Sequence, residues 1–250
     1  MELGMSQSMR ADSHSIKASE FWNLDGHPSQ RILLDVSEGK MTPIEKLTSV
    51  FSSRDVDNPY IVAKNHGARY QNSDWETLRK ENAAAWARDW EASDIKIESK
   101  DDAQLMVRFS IYQMLICAPR HDDRVSIGAK TLSGYGYRGH IFWDTEIFLL
   151  PFFSMTRPDI AKNLLNYRWN SLSGARKKAK LGGYEGIQFP WESAGTGDEV
   201  TPTWVPHFAD PSKLVRIWTG DIEIHITSDI VYAINQYWKI TGDAEFMVEK

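Results

Sequence analysis

From residue 73 onward the apolar residues of this chain recur at helical spacing, and this change of period constrains the fold more than any other feature. Ser73 and Glu76 have the spacing of a capping box and predict a helix over about residues 74–90. Isoleucine or tryptophan then occupies every fourth position from Ile222 to Trp238, which predicts a strongly amphipathic helix that ends at Gly242. The sequence after residue 73 therefore predicts a mainly helical fold.

Three further helices are predicted between these two. Residues 102–117, preceded by a capping box that starts at Ser99, are apolar on two faces, which is typical of a helix buried between neighbours. Asp144 is placed to cap a short helix over residues 144–153, and Pro158 begins another that continues towards Gly182. The alternation at residues 94–98 predicts a brief strand. Residues 183–220 read as a long loop, and loops of that length are usually functional.

The two ends of the chain differ from this pattern. Short apolar runs at residues 31–36 and 60–63 are separated by Pro, Gly, Asn and Asp, and they predict short strands of undetermined pairing. Residues 243–250 read as the first turn of one more helix. A few helices with long aromatic loops do not close an α-domain, so we expect the chain to be a fragment of a longer protein.

Composition excludes several classes of function. The formal net charge is −5 and no stripe of Lys and Arg is present, which argues against binding of nucleic acid or of an anionic membrane. No apolar stretch reaches the length of a membrane span, and the N-terminus lacks the apolar core of a signal peptide. The single cysteine, Cys117, lies in an apolar run and predicts a buried, inert thiol, so we expect a cytoplasmic protein.

The densest set of chemically useful residues is the segment GYGYRGHIFWDTEIFLLPFF at residues 134–153. A tryptophan stacks on the apolar C–H face of a sugar ring, and an aspartate accepts hydrogen bonds from neighbouring hydroxyls, so Trp143 and Asp144 suit a sugar pocket. The alternative is purely structural: Trp143 belongs to the core, Asp144 only caps a helix, and Arg138 is its ion-pair partner. Spacing alone leaves both interpretations open.

A second pair of tryptophan and carboxylate, Trp191 and Glu192, follows in a loop rich in Pro and Gly. Two such pairs favour a carbohydrate cleft, and a solvated acidic loop held by one buried tryptophan is the alternative. Thr219, Glu223 and His225 form a third group near the last long helix, where a single histidine is more often structural than a ligand. No HExxH, CxxC or clustered His and Cys spacing is present, so no metal site is predicted.

At these three segments the sequence resembles glycoside hydrolase family 65, which contains maltose, trehalose, kojibiose and nigerose phosphorylases. The motifs are SIGAK at Ser126, GYRGHIFWDTEIFLLPFF, NYRWNSLSGARKKAKLGGYEGIQFPWESAGTGDEVTP from Asn166, WTGDIEIHIT and QYWKITGD. The resemblance implies a mainly α fold, with part of an (α/α)6 barrel preceded by a remnant of an N-terminal β-sandwich and a helical linker. It places the sandwich remnant at residues 1–72, the linker at 73–100 and the truncated barrel at 101–250.

The activity that this resemblance implies is inverting phosphorolysis of an α-glucosidic disaccharide to β-glucose 1-phosphate and a free sugar. Inorganic phosphate is then a co-substrate, no cofactor or metal is implied, and a homodimer is open for the full-length protein. The motif IFWDTEIF is nearer to the kojibiose and trehalose phosphorylases than to the maltose phosphorylases. The resemblance assigns substrate-binding roles to seven residues: Trp143 and Asp144, with Arg138 nearby, at the glucosyl ring; Trp191 and Glu192 facing the acceptor sugar; and Thr219 and His225 shaping the acceptor site.

The catalytic acid of that family has no counterpart in this sequence. None of Glu146, Glu192 or Glu223 matches it, so we expect no catalytic residue in this chain and no activity from the chain alone. A trehalase-like hydrolase of the same family and a non-catalytic carbohydrate-binding protein are the alternatives. A phosphate site would distinguish a phosphorylase from a hydrolase, and a self-contained fold would favour the binding protein.

Overall fold

The computed structural model describes residues 1–24 and 27–250, which divide into two compact units, Met1–Ala84 and Ala85–Lys250. In the first unit the described residues form β1 Leu3–Ala11, β2 Ile16–Leu24, β3 His27–Leu34, β4 Ile44–Ser52, α1 Pro59–Tyr70 and the beginning of α2 Trp75–Ser93. In the second unit they form the rest of α2, α3 Ala103–Cys117, α4 Leu150–Thr156, α5 Pro158–Asn170, α6 Leu172–Leu181, β5 Trp204–Pro206, β6 Leu214–Arg216, α7 Thr219–Ile222, α8 Ile226–Thr241 and α9 Ala244–Glu249. The prediction of a mainly helical chain after residue 73 is confirmed.

Two antiparallel strand pairs make up the β-structure of the first unit. β1 pairs with β4 from end to end, with Leu3 opposite Ser52, and β2 pairs with β3. Helix α1 lies against β1 and β4. A hydrogen bond of 2.9 Å joins Ser49 Oγ on β4 to His66 Nδ1 on α1, and it satisfies a hydroxyl that packing has removed from water.

The predicted strand at residues 60–63 is wrong, because these residues lie in α1. Asn58 caps this helix by accepting a hydrogen bond from the Ile61 amide at 3.1 Å, and Pro59 occupies its first turn, where a missing N–H costs nothing. The strand predicted from the apolar run at residues 31–36 is confirmed in part, since residues 31–34 lie in β3. An Asn-Pro start signal thus outweighs the β-branched residues that follow it.

Two apolar clusters form the core of the second unit. The larger one unites α3, α4, α5, α8 and α9, and its fully buried members include Ile111, Leu115, Phe153, Ile160, Leu164, Tyr237 and Phe246. The smaller one contains Phe189, Ile226 and Ile230, and the partly buried rings of Trp143 and Trp191 pack against it. The two tryptophans of the candidate carbohydrate cleft therefore rest on a rigid apolar base.

The capping residues differ from the predicted ones. At α2 the cap is Asp74, whose carboxylate accepts the Thr77 amide at 3.1 Å, rather than Ser73. At α3 the N-cap residue Asp102 makes no capping hydrogen bond, and the preceding Asp101, rather than the predicted serine, accepts the Ala103 amide at 3.0 Å. A carboxylate is a stronger acceptor than a hydroxyl, so the aspartate beside or near each predicted serine takes its role.

The predicted strand at residues 94–98 is absent, although all of these residues are described. The Gln104 side chain takes the place of a partner strand, because its oxygen accepts the Ile97 amide at 2.7 Å and its nitrogen donates to the Ile95 carbonyl at 2.9 Å. One side-chain amide thus forms the backbone hydrogen bonds of a segment whose alternating pattern indicates a strand.

Helix α3 buries only one of its two apolar faces. Ile111 and Leu115 are inside the core, whereas Leu105 is 68% exposed and Phe109 is 61% exposed. The prediction that both faces pack between neighbours is therefore wrong for this chain.

The remaining helices follow the predicted sequence ranges with changed boundaries. The helix predicted at residues 144–153 begins with a π-helical turn, Thr145–Leu149, and continues through Pro151. The helix predicted to reach Gly182 is two helices, α5 and α6, which meet at Ser171. The last long helix starts at Ile226 and ends at Gly242, which has a φ of 68°. The predicted helical turn at residues 243–250 is confirmed as α9, and the predicted loop contains the β5–β6 hairpin.

A buried ion pair links α5 to the π-helical turn. The Arg168 guanidinium donates to Glu146 through Nε and Nη2, at 2.7 Å each, and both side chains are almost fully buried. Burial opposes the charge on Arg168, but the attraction and hydrogen bonds of Glu146 outweigh it and raise the pKa of the guanidinium. Each charge therefore depends on the other, and removing either one leaves an unpaired charge in the core.

We expect the substitution Glu146→Gln to lower the free energy of unfolding by about 3–5 kcal/mol, because it leaves the buried Arg168 without a counter-charge. Lys177→Ala is the control, since Lys177 pairs with Asp198 at the surface and is 63% exposed, and we expect it to cost about 1 kcal/mol or less. Urea unfolding followed by circular dichroism measures both. Equal losses in the two variants would contradict the role given to this ion pair.

The Cys117 thiol is predicted to be unreactive in the folded chain. Burial raises its pKa to about 11, so very little thiolate is present at neutral pH, and only the thiolate reacts. We expect slow modification by a thiol reagent such as DTNB at pH 8 and complete modification in denaturant. Immediate stoichiometric reaction of the native chain would show that the thiol is accessible.

Candidate functional site

Backbone pairing brings the two tryptophan and carboxylate segments together. The Ile141 amide donates to the Ser193 carbonyl at 2.8 Å, and the Ser193 amide donates back to the Ile141 carbonyl at 2.9 Å. On its other side this loop pairs with the following segment, where the Val200 amide donates to the Glu192 carbonyl at 2.9 Å. Three short pieces of chain are therefore bridged to one another, and Glu192 lies within them while Trp143 and Trp191 are close by in sequence.

The rings of Trp143, Trp191 and His225 form one aromatic cluster. The centroid of Trp143 lies 6.4 Å from that of Trp191 and 5.0 Å from that of His225, and Trp191 lies 6.0 Å from His225. His225 is oriented by Asp229, which its Nδ1 contacts at 2.5 Å. All three aromatic residues predicted for the site thus meet, although they come from three separate segments of the sequence.

A cavity of about 660 Å³ opens beside this cluster. Four of the predicted site residues line it, namely Arg138, Trp191, Glu192 and Thr219. Its volume is in the range of small-molecule pockets, and indole surface together with a few polar groups is the usual composition of such pockets. The other three predicted residues, Trp143, Asp144 and His225, do not line it.

Glu192 is held in a defined orientation. It is 5% exposed, and its Oε1 lies 2.6 Å from Nδ1 of His140, which also lines the cavity. A buried carboxylate is tolerated when it has such a partner, and the partner fixes its rotamer. His140 stands within the motif GYRGHIFWDTE, and the sequence analysis assigns it no role in the site.

The purely structural interpretation of the first segment is wrong in two of its parts. Asp144 is exposed and makes no capping hydrogen bond to the π-helical turn that follows it. The structure describes both Asp144 and Arg138 and shows no ion pair between them. Arg138 has a left-handed backbone conformation, with a φ of 53°, in a short turn at the wall of the cavity. Both side chains are therefore accessible to a ligand.

The second segment, with Trp191 and Glu192, is not a solvated acidic loop. Its carboxylate Glu199 is bound to other residues of the loop and to a helix. Its carboxylate accepts from the Trp191 amide and from the Thr201 hydroxyl and is paired with Lys178. The sequence analysis assigns Glu199 no role, since nothing in the sequence distinguishes it from its neighbour Asp198.

Among residues 1–24 and 27–250, no group of three or more His, Cys, Asp or Glu side chains is arranged to hold a metal ion. Over the same residues, none of the helices has both the length and the apolar character needed to cross a lipid bilayer.

The sequence matches two profiles of one family. Residues 108–250 match the central catalytic domain of glycosyl hydrolase family 65, and residues 1–88 match the N-terminal domain of the same family.

Two relatives and one solved structure are similar to most of this chain. The kojibiose phosphorylase of Halothermothrix orenii is 45% identical over 222 residues, a match that covers 85% of this chain and 28% of that protein. The kojibiose hydrolase of Flavobacterium johnsoniae is 36% identical over 215 residues, with 86% of this chain and 30% of that protein covered. A solved structure provisionally assigned as a kojibiose phosphorylase from the human microbiome has the same fold, with a TM-score of 0.78 at 24% identity, over 98% of this chain and 31% of that one.

The chain spans less than a third of the length of each of these proteins. The catalytic-domain profile nevertheless covers more than half of the chain. This chain belongs to glycosyl hydrolase family 65.

Proposed function

We propose that this chain is the sugar-recognition part of an inverting disaccharide phosphorylase, which uses phosphate to cleave an α-glucosidic disaccharide into β-glucose 1-phosphate and a free sugar. The observation that carries the proposal is the single cavity lined by Arg138, Trp191, Glu192 and Thr219. A stacking surface, a carboxylate acceptor and a cationic donor within one cavity are the groups that bind a pyranose ring.

The proposed roles follow the geometry of the site. Trp191 presents its ring to the cavity. Glu192 offers a carboxylate oxygen to a sugar hydroxyl, while its Oε1 contacts Nδ1 of His140. Trp143 and His225 contact the Trp191 ring and do not line the cavity. Asp144 follows Trp143 in the sequence and is exposed, and its proposed role is to accept a hydrogen bond from a second sugar hydroxyl.

The architecture that we propose is the first part of an (α/α)6 barrel at residues 101–250, preceded by a linker at 73–100 and a sandwich remnant at 1–72. The antiparallel strand pairs of the first unit and the run of helices α3 to α9 support it. The fold shared with a solved structure of more than three times the length supports it as well.

Kojibiose is the substrate that we propose, since the relative with 45% identity is a kojibiose phosphorylase. Hydrolysis is the second candidate, because a relative with 36% identity is a kojibiose hydrolase. The two reactions differ in whether phosphate or water attacks the anomeric carbon, so dependence on phosphate distinguishes them.

We propose that none of the three glutamates considered above is the general acid. Glu146 is sealed in the core with Arg168, and Glu192 is bound by His140. Glu223 lies 3.5 Å from Nε2 of His225 at the surface. A general acid must reach the glycosidic oxygen and carry a proton, and a buried ion pair such as that of Glu146 does neither.

We expect the chain to bind kojibiose and the variant Trp191→Ala to bind it about 10-fold or more weakly, because the lost aromatic contact is worth about 1.5–3 kcal/mol. Trp75→Ala is the control, since Trp75 is 58% exposed on α2 and lies outside the cavity. Isothermal titration calorimetry measures both. No binding by the unmodified chain, or equal binding by both variants, would contradict the proposed site.

We expect residues 1–250 alone to release neither β-glucose 1-phosphate nor glucose from kojibiose, nigerose, trehalose or maltose, with or without phosphate. A fusion to the part of the Halothermothrix orenii relative that follows the matched segment is expected to release β-glucose 1-phosphate from kojibiose only when phosphate is present. The same fusion with Asp144→Asn is expected to lose about 100-fold or more of that rate.

Three outcomes of this assay would require changes to the proposal. Release of glucose without phosphate would identify the hydrolase. Turnover by residues 1–250 would show that an acid is present, and Glu192 and Glu223 would be the first residues to test. Full activity of the fusion that carries Asp144→Asn would remove Asp144 from the site.

A further inference from the structure

We propose that Glu199 is the positioning residue of the candidate sugar site. Its carboxylate accepts the backbone amides of Trp191 and Glu192 and so fixes the loop on which both side chains stand. This inference rests on the proposed function, because it assigns a role within the same site. Glu199 itself does not line the cavity, so its effect passes through the loop.

The two carboxylate oxygens of Glu199 accept different hydrogen bonds. Oε2 accepts the Trp191 amide at 2.9 Å, and Oε1 accepts the Glu192 amide at 3.3 Å. Oε1 also accepts the Thr201 amide at 3.2 Å and the Thr201 hydroxyl at 2.6 Å. One carboxylate thus satisfies two consecutive amides of the candidate site and closes the loop that follows them.

Lys178 on α6 anchors this carboxylate to a helix. Its Nζ lies 2.5 Å from Oε2 of Glu199, and only 12% of the lysine side chain is exposed. The loop can come this close because Gly174 faces Gly197, and a Cβ on Gly174 would lie 2.1 Å from the Gly197 carbonyl. The position of the loop is therefore set by the helix through both a charge pair and a backbone contact.

The neighbouring carboxylate, Asp198, does not hold the loop in this way. Asp198 pairs with the exposed Lys177 and accepts from the Thr196 hydroxyl, and neither bond reaches the residues that line the cavity. A charged acceptor makes stronger bonds to amides than a neutral one does, and an amide left without its acceptor in a partly buried loop destabilises that conformation. Loss of Glu199, unlike loss of Asp198, therefore frees the Trp191 and Glu192 backbone.

The test compares Glu199→Gln with Asp198→Asn, which is the same chemical change at the adjacent position. Hydrogen exchange by NMR reports the amides of Trp191, Glu192 and Thr201 without any ligand. We expect these amides to exchange about 10-fold or more faster in Glu199→Gln and at the unmodified rate in Asp198→Asn, while amides in α5 and α8 are unchanged in both. Kojibiose affinity, measured by calorimetry, is expected to fall about 10-fold or more only in Glu199→Gln.

The outcomes separate this inference from the proposed function. If the unmodified chain binds no kojibiose, the proposed function fails, and the exchange rates still decide whether Glu199 holds the loop. If kojibiose binds and Glu199→Gln matches Asp198→Asn in both exchange and affinity, Glu199 is not a positioning residue. Should Glu199→Gln not fold, Glu199→Asp keeps the charge near Lys178 but shortens the reach, and unchanged exchange in that variant also overturns the inference.

Discussion

The buried ion pair of Arg168 and Glu146 is the interaction on which the candidate site depends. Arg168 extends from α5 and donates Nη2 both to Glu146 and to the Phe142 carbonyl, at 2.7 and 2.9 Å. Its Nη1 reaches the Ser193 hydroxyl at 3.4 Å. One guanidinium therefore fixes the residue before Trp143 and the residue after Glu192, and its planar set of donors is suited to holding several acceptors at defined angles.

This arrangement explains how loops form a site that is nevertheless rigid. The cavity is lined by irregular segments, which on their own would be mobile. Two of these segments are attached to a helix by a charged side chain, one to α5 through Arg168 and another to α6 through Lys178. The apolar cluster beneath Trp143 and Trp191 supplies the remaining support. Rigid elements thus determine where the sugar-binding groups lie, and the loops supply the groups themselves.

The sequence predicted the features that depend on residue type and local spacing. The stripe on α8 was found because apolar residues every fourth position require a helix, and Trp143 and Trp191 were selected because tryptophan beside a carboxylate has a recognisable chemistry. What depends on contacts distant in sequence was missed. The Gln104 side chain replaced a predicted strand, and Glu199 differs from Asp198 because its carboxylate reaches the Trp191 and Glu192 amides.

The carboxylates around the site have different partners, and these partners determine what each carboxylate can contribute to a reaction. Glu146 and Glu199 have cationic partners and accept hydrogen bonds that hold the scaffold together. Glu192 is bound by His140 at the cavity wall, and Asp144 is exposed and makes no capping bond. Acceptors for sugar hydroxyls are therefore well supplied, whereas Glu146, Glu192 and Glu199 are already engaged as hydrogen-bond acceptors and are poorly suited to deliver a proton to a glycosidic oxygen. In the proposed function, Glu192 and Asp144 accordingly bind and orient the sugar and do not deliver the proton.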